Sequence, residues 1–201
     1  MGTEEKPIFY DRLVFDGTAY IDTDIIPPAD CSFRTLIGNE TLKAAQRIFR
    51  ADGKFGVIMN ASTNSTRRSF VVYYGQTGAF GDYQVNSWDE TFIFLTPYMF
   101  GLNDSLKWTF TKGTDNPAGP LTIGHREDHS GQAYTGSLGS FRIYGSDAKN
   151  ATNPSELATY TPVYYLRPCT YNGEAGLWCV ENNTFYGNTA GAGTLSVRNN
   201  T

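Results

Sequence analysis

The sequence carries little charge. Asp, Glu, Lys and Arg make up 18% of its 201 residues, and the formal balance is −4. A nucleic-acid binder usually shows a clustered basic surface, so this balance argues against one. Histidine occurs twice and cysteine three times. An odd cysteine count does not suit a disulfide framework, and no C-x-x-C spacing offers zinc a thiolate pair. No run approaches the ~20 apolar residues of a membrane-spanning helix, which excludes helical membrane insertion. There is no block of like charge, no repeat, and no Ser/His/Asp set, phosphate loop or dinucleotide fingerprint. The opening Met1-Gly2-Thr3-Glu4-Glu5-Lys6-Pro7 lacks the basic-then-apolar pattern of a secretory leader. That pattern points to a chain made in the cytosol or separated from its leader.

What is plentiful is aromatic and turn-forming. Phe, Trp and Tyr reach 14%, beside 21 glycines and 9 prolines. Such a mixture favours strands and turns over helices. The residues 19–22 alternate, Ala19 and Ile21 against Tyr20 and Asp22. In the segment 31–37, Cys31, Phe33, Thr35 and Ile37 share one face, and in 54–59 Phe55, Val57 and Met59 do. Glu40 to Arg50 has partly helical spacing, but Asp52-Gly53 closes a turn after it, so a loop leading into a strand at Arg47–Arg50 is expected. Further strands are expected at 69–74, 91–95, 98–100, 106–110, 121–124, 139–144, 160–168, 175–180 and 184–186. One helical turn is expected after Asn153-Pro154. The spacing opens no long linker. It predicts an all-β jelly-roll β-sandwich of two antiparallel sheets, with an N-terminal arm over 1–8, one domain over 9–197 and a tail over 198–201.

Cys169 and Cys179 flank the turn Tyr171-Asn172-Gly173-Glu174. They read as buried thiols, as does Cys31, or as a bridge across the hairpin.

Two segments carry a family resemblance. One is Phe15-Asp16-Gly17-Thr18-Ala19-Tyr20-Ile21-Asp22-Thr23. The other is Gly176-Leu177-Trp178-Cys179-Val180-Glu181-Asn182-Asn183-Thr184-Phe185-Tyr186-Gly187-Asn188. With Pro120–Gly124 and Gly136–Tyr144 between them, they resemble the concanavalin A-like (LamG-like) jelly rolls of phage virion proteins and gut-bacterial surface proteins. The resemblance implies a concanavalin A-like lectin/glucanase type of sandwich. Cys179 stands where those modules commonly have Asp. Tyr20, Phe141, Tyr144, Leu177, Phe185 and Tyr186 are spaced to fill a sheet-on-sheet core. A fold alone assigns no site.

Candidate chemistry is sparse. A glycoside hydrolase needs two carboxyls ~5–9.5 Å apart. Asp89-Glu90 are adjacent and would face opposite ways on a strand, and Glu127-Asp128 fall in a loop. No catalytic residue is assigned. The densest polar cluster is His125-Arg126-Glu127-Asp128-His129, which reads as a solvated loop or as a ligand contact. Asp82, Tyr83 and Trp88, with Tyr98, read as core filler or as an aromatic platform for a sugar ring. The candidate ligand-binding residues are therefore Asp82, Tyr83, Trp88, His125, Asp128 and His129, with no metal and no cofactor. The expectation is a non-enzymatic virion surface protein of a bacteriophage, either a head decoration (auxiliary capsid) protein or a tail-fibre module. It would lie on the virion surface, pack against capsid or tail proteins and sister subunits, and hold host or mucosal glycans weakly. The alternatives are a bacterial cell-surface carbohydrate-binding module and a glycoside hydrolase of atypical site.

Overall fold

The computed structural model describes residues 5–38, 45–61, 68–76, 80–85, 90–125 and 132–200, with backbone alone at 60–61, 68, 80–85 and 132. In chain order the strands are β1 (Ile8–Phe9), β2 (Arg12–Asp16), β3 (Ile21–Asp22), β4 (Ser32–Gly38), β5 (Gln46–Ala51), β6 (Phe55–Ala61) and β7 (Arg68–Tyr74). They continue with β8 (Phe80–Val85), β9 (Thr91–Leu95), β10 (Met99–Leu102), β11 (Leu106–Thr109), β12 (Leu121–Ile123), β13 (Gln132–Ala133) and β14 (Thr135–Leu138). The last are β15 (Phe141–Tyr144), β16 (Pro162–Tyr171), β17 (Glu174–Cys179), β18 (Thr184–Tyr186) and β19 (Leu195–Arg198). Between β15 and β16 lie a 3-10 turn, Ser146–Ala148, and one short helix, α1 (Pro154–Leu157).

These strands form two sheets. The larger has 12 strands and runs β11-β10-β9-β4-β15-β16-β17-β18, with β1 on β16 and the set β19-β2-β14 joined through β4. The smaller has 7 and runs β3-β12-β5-β6-β7-β8, with β13 beside β5. Pairing is antiparallel throughout except between β13 and β5. The hairpin between β16 and β17 turns on Asn172 and Gly173, both left-handed at φ 51° and 78°. That is the geometry for which Asn-Gly is preferred.

Strand alternation builds the core. Phe15, Phe33, Ile93, Phe141, Leu166 and Leu177 face inward from the larger sheet, and Phe49, Phe55, Val57, Phe70 and Ile123 from the smaller. Phe33 stacks on Phe49 with centroids 5.0 Å apart, and Phe141 meets Phe49 edge-on at 5.0 Å. These three rings tie the sheets together, each contributing about 1.5–3 kcal/mol by burial. Tyr74 crosses the same core and donates to the Cys31 carbonyl at 2.7 Å.

A second, smaller apolar cluster lies on the opposite face of the larger sheet. Residues 146–157 fold back over Phe94 and Tyr144 and bury Ala148, Ala151 and Leu157 against them. Asn153 starts the helix by accepting from the Glu156 amide at 2.7 Å, and Glu156 accepts in return from the Thr152 amide at 2.7 Å. Pro154 at the first helical position loses no hydrogen bond there.

Several expectations are refined. The loop-then-strand reading before Asp52-Gly53 holds for β5, while 39–44 lie outside the described residues. Tyr20 and Phe185 are half-buried and do not join the core. Ala19, Ile21 and Tyr186 take the inward positions beside them, and the period of two turns their neighbours outward. Tyr144 is buried, but under the 146–157 insertion on the outer face. All three cysteines are free and buried. Cys169 lies opposite Gly176 and Cys179 opposite Leu166, so the hairpin register does not make them cross-strand partners. The outermost strands reach Ile8 and Arg198: Ile8 pairs with Thr170, and Arg198 with Arg12.

Candidate ligand-binding face

Of the six candidate residues, His125 alone is described with its side chain. It is buried, 6% exposed, with its ring edge-on to Tyr20 at 5.2 Å. This corrects the solvated-loop reading at that position. Gly124, at φ 85°, turns the chain after β12 and brings the following ring against Tyr20, just before β3. Asp82 and Tyr83 lie on β8, in the smaller sheet. Tyr98 is exposed at the β9–β10 turn, on the larger sheet. Trp88, Asp128 and His129 lie outside the described residues.

The resembling end segments are joined to each other. Asp16 Oδ1 accepts from the amides of Thr18 and Ala19 at 2.9 and 3.0 Å, and from the Thr18 hydroxyl at 2.8 Å. Its Oδ2 accepts from the Thr194 amide at 2.5 Å. Burial pushes this carboxyl upward, but the hydrogen bonds outweigh it and hold Asp16 below the ordinary carboxylate range. Gly193 passes so close to this turn that a Cβ there would stand 2.1 Å from Thr18 Oγ1, at φ 79°. Asn188 Oδ1 accepts from the Tyr20 amide at 3.3 Å, and Thr189 Oγ1 from the Asp22 amide at 2.9 Å. The Tyr186 hydroxyl donates to Asp24. Burial and that carboxylate push the phenol up to about 12. The Asp, Asn and Tyr of the signature segments therefore act as a latch between the β2–β3 segment and β18 with the chain after it.

The cysteines offer no nucleophile. Burial pushes Cys31 up to about 12 and Cys169 to about 11, and it also raises Cys179. Such thiols stay protonated and unreactive at neutral pH.

The exposed chemistry gathers on the outer face of the larger sheet, where sequence reasoning did not place it. With Leu166 and Leu177 inward, Arg167 and Trp178 project outward as direct cross-strand neighbours. Phe185 pairs with Trp178 from β18. Tyr171 stands 5.3 Å from Trp178 and 5.5 Å from Phe185, centroid to centroid, both tilted. Phe9 covers the Arg167 guanidinium at 3.9 Å. All five side chains are half-buried. Phe9, Arg167, Tyr171 and Trp178, with Glu5, Lys6 and Asn183, line a groove of about 650 Å³.

Beside it runs a row of arginines and rings. Arg34 lies over Phe92 at 4.2 Å, and Arg142 over Tyr165 at 4.5 Å. Arg142 also donates to the Tyr165 hydroxyl at 3.2 Å. Arg12 pairs with Glu90, which Arg198 also approaches at 3.5 Å. The signal in the sequence was the alternation itself, which assigns Arg34, Arg142, Arg167 and Trp178 to outward positions once their apolar neighbours are placed inward.

No protein-family model matches the chain, and no curated protein matches it. Solved structures do. A native heptameric SAP-like pentraxin from Limulus polyphemus superposes at a TM-score of 0.51 with 13% identity, over 67% of this chain and 76% of the pentraxin chain. A candidate carbohydrate-binding protein from Bacteroides ovatus superposes at 0.59 with 12% identity. That match covers 97% of this chain and 62% of the Bacteroides chain. The fold is a concanavalin A-like, LamG-like jelly roll, the architecture implied by the two end segments. At these identities the likeness establishes the lectin-like fold, and the site is read from this chain's own residues.

Proposed function

We propose that this chain is a non-enzymatic lectin-like module that binds carbohydrate on the outer face of its larger sheet. The observation that carries the reading is the half-exposed Tyr171–Trp178–Phe185 cluster beside a groove of about 650 Å³. A concave site lined by aromatic rings with a few polar groups is the usual form of a small-ligand site. Flat rings accept the C–H face of a sugar, and Arg167, Lys6 and Asn183 offer donors to its hydroxyls. The Bacteroides neighbour, a candidate carbohydrate-binding protein of the same fold, supports the ligand class. The non-enzymatic reading is supported by the groove lining, where Glu5 is the one carboxylate among the described residues. Hydrolysis would need a pair.

The setting we propose is the surface of a bacteriophage virion, as a head decoration protein or tail-fibre module among capsid or tail subunits. This rests on the resemblance of the two end segments. The second reading, a bacterial cell-surface module, is favoured by the Bacteroides neighbour. A glycan array tests the binding: the native chain retains one or more glycans, and Trp178→Ala weakens them about tenfold or more. An array on which the native chain retains nothing overturns the reading. Mass spectrometry of purified virions tests the setting, and absence of the chain there rejects it.

A further inference from the structure

Arg34 and Arg142 are direct cross-strand partners on β4 and β15. Like charges at that spacing repel and weaken a sheet. Arg167 stands nearby on β16, and with Arg12 all four arginines line one cavity of about 250 Å³, where Asp11 is the one carboxylate among the lining residues. This concentration of positive charge sits on a chain whose net charge is −4. The flanking rings account for the faces of the guanidiniums, through Phe92 and Tyr165. They account for only part of the edges, through the Arg142 hydrogen bond to the Tyr165 hydroxyl. The Nε groups of Arg34 and Arg142 are buried without a hydrogen-bond partner, an arrangement that is costly unless something fills it. Burial, with the Arg142 charge, depresses the Arg34 pKa against the opposing effects of Tyr144 and Asp104. Burial also lowers that of Arg142, but Tyr165 and Tyr144 outweigh it and raise the pKa.

The carboxylates around the cluster are engaged elsewhere. Asp104 takes both the amide and the hydroxyl of Ser155, at 3.2 and 2.6 Å. Glu90 holds Arg12 and Arg198. Asp11 accepts from the Asn200 amide at 2.9 Å. Among the described residues, none of them forms a direct ion pair with Arg34, Arg142 or Arg167, although the Asp104 charge acts on Arg34 from a greater distance.

We propose that Arg34, Arg142 and Arg167 form a subsite for an acidic group carried by a saccharide, so that the ligand of the outer face is an anionic glycan. The inference rests on the carbohydrate-binding reading above and specifies its ligand class. An arginine edge presents two parallel N–H donors that match a carboxylate or a sulfate ester. Arg167 belongs to both cavities. A sugar ring against Trp178 would therefore have an acidic group on the same or the next residue within the charged cavity. At about 250 Å³ that cavity is smaller than the ~300–1,000 Å³ of a whole-ligand pocket, which suits one substituent rather than an oligomer.

The test is a calorimetric titration of three probes on one backbone: galactotetraose, its 6-sulfated form, and tetragalacturonate. The native chain is expected to bind at least one acidic probe about tenfold or more tighter than galactotetraose. That preference should shrink severalfold on raising the salt from 0.05 to 0.5 M, by about the loss that screening imposes. Arg34→Gln with Arg142→Gln is expected to abolish the preference, and Arg142→Lys to keep part of it. The relative strength of the sulfated and uronate probes identifies the acidic group. Should the double variant not fold, Arg167→Gln and the salt dependence carry the same test. Equal binding of acidic and neutral probes overturns the inference, as does a preference that survives the double variant. Inorganic sulfate bound as tightly as the sulfated sugar overturns it in favour of a simple anion site. If neutral glycans bind on the array while neither acidic probe binds, the inference fails and the carbohydrate reading stands. If no glycan binds at all, both fail.

Discussion

One face of one sheet is treated in two ways. At one end of the larger sheet's outer face, Phe94 and Tyr144 are sealed beneath residues 146–157. Further along the same strands, Arg34, Phe92, Arg142 and Tyr165 are left half-open, and the row continues into Arg167, Phe9 and Trp178. The covered end is apolar and capped by its own short helix. The open end alternates cations with rings and has nothing over it among the described residues. A sheet that needed only to be stable would gain by covering both ends with apolar side chains. Like-charged partners facing each other across β4 and β15 stand against stability, which separates the part of the face that maintains the fold from the part free to bind.

Substitutions can sharpen or break that contrast. The largest effect belongs to the inner face: Phe141→Ala should cost about 3–5 kcal/mol in denaturant unfolding, since the ring is fully buried and touches both Phe33 and Phe49. Next is the covered outer end, where Leu157→Ala should cost about 2–4 kcal/mol. A loss below about 1 kcal/mol there would show that the insertion merely rests on the sheet, and the contrast would collapse. Asp16→Ala removes the latch carboxylate, and a cost of about 1–2 kcal/mol is expected for partly exposed, charge-assisted hydrogen bonds. The same group sets a sign in pH. Its folded pKa lies below its ordinary value of 3.8, so its contribution is complete above that value and is lost as pH falls through the folded one. Acid unfolding of Asp16→Asn should lack that component, and an unchanged acid limb would remove Asp16 from the latch. The smallest effect belongs to the open end. Arg142→Gln should change stability by no more than about 0.5 kcal/mol, in either direction. A loss of several kcal/mol would make the arginine row structural.

The fold was legible in the sequence because alternation and turn chemistry agree. Phe33, Ile37, Phe55 and Val57 fall on inward positions as read, and Asn172-Gly173 closes the hairpin it suggests. Strand β14 was harder to see, because Thr135-Gly136-Ser137-Leu138 has small polar residues where strands usually carry branched ones. Its place is set by partners on both sides, β2 and β4, rather than by its own propensity. The site was the less legible part. Clusters such as His125–His129 are contiguous in the chain. Arg34, Arg142 and Arg167 are dispersed and meet only through strand order and register. The spacing of Tyr20 and Phe185 fits a core, yet both are half-buried and lie outside it. The phase of the alternation is set by smaller neighbours, Ala19 and Ile21 in one case, that pack more fully.

The order of strands also bears on how the molecule is made. Strand β2 is flanked by β14 and by β19, both far later in the sequence. Neither neighbour exists until synthesis has passed Leu138 and Arg198 respectively. The latch at Asp16 waits for Thr194 in the same way. Folding of this sheet should therefore be slow, as expected where pairings join distant segments. During synthesis β2 has an unpaired edge that is open to mispairing with nascent neighbours.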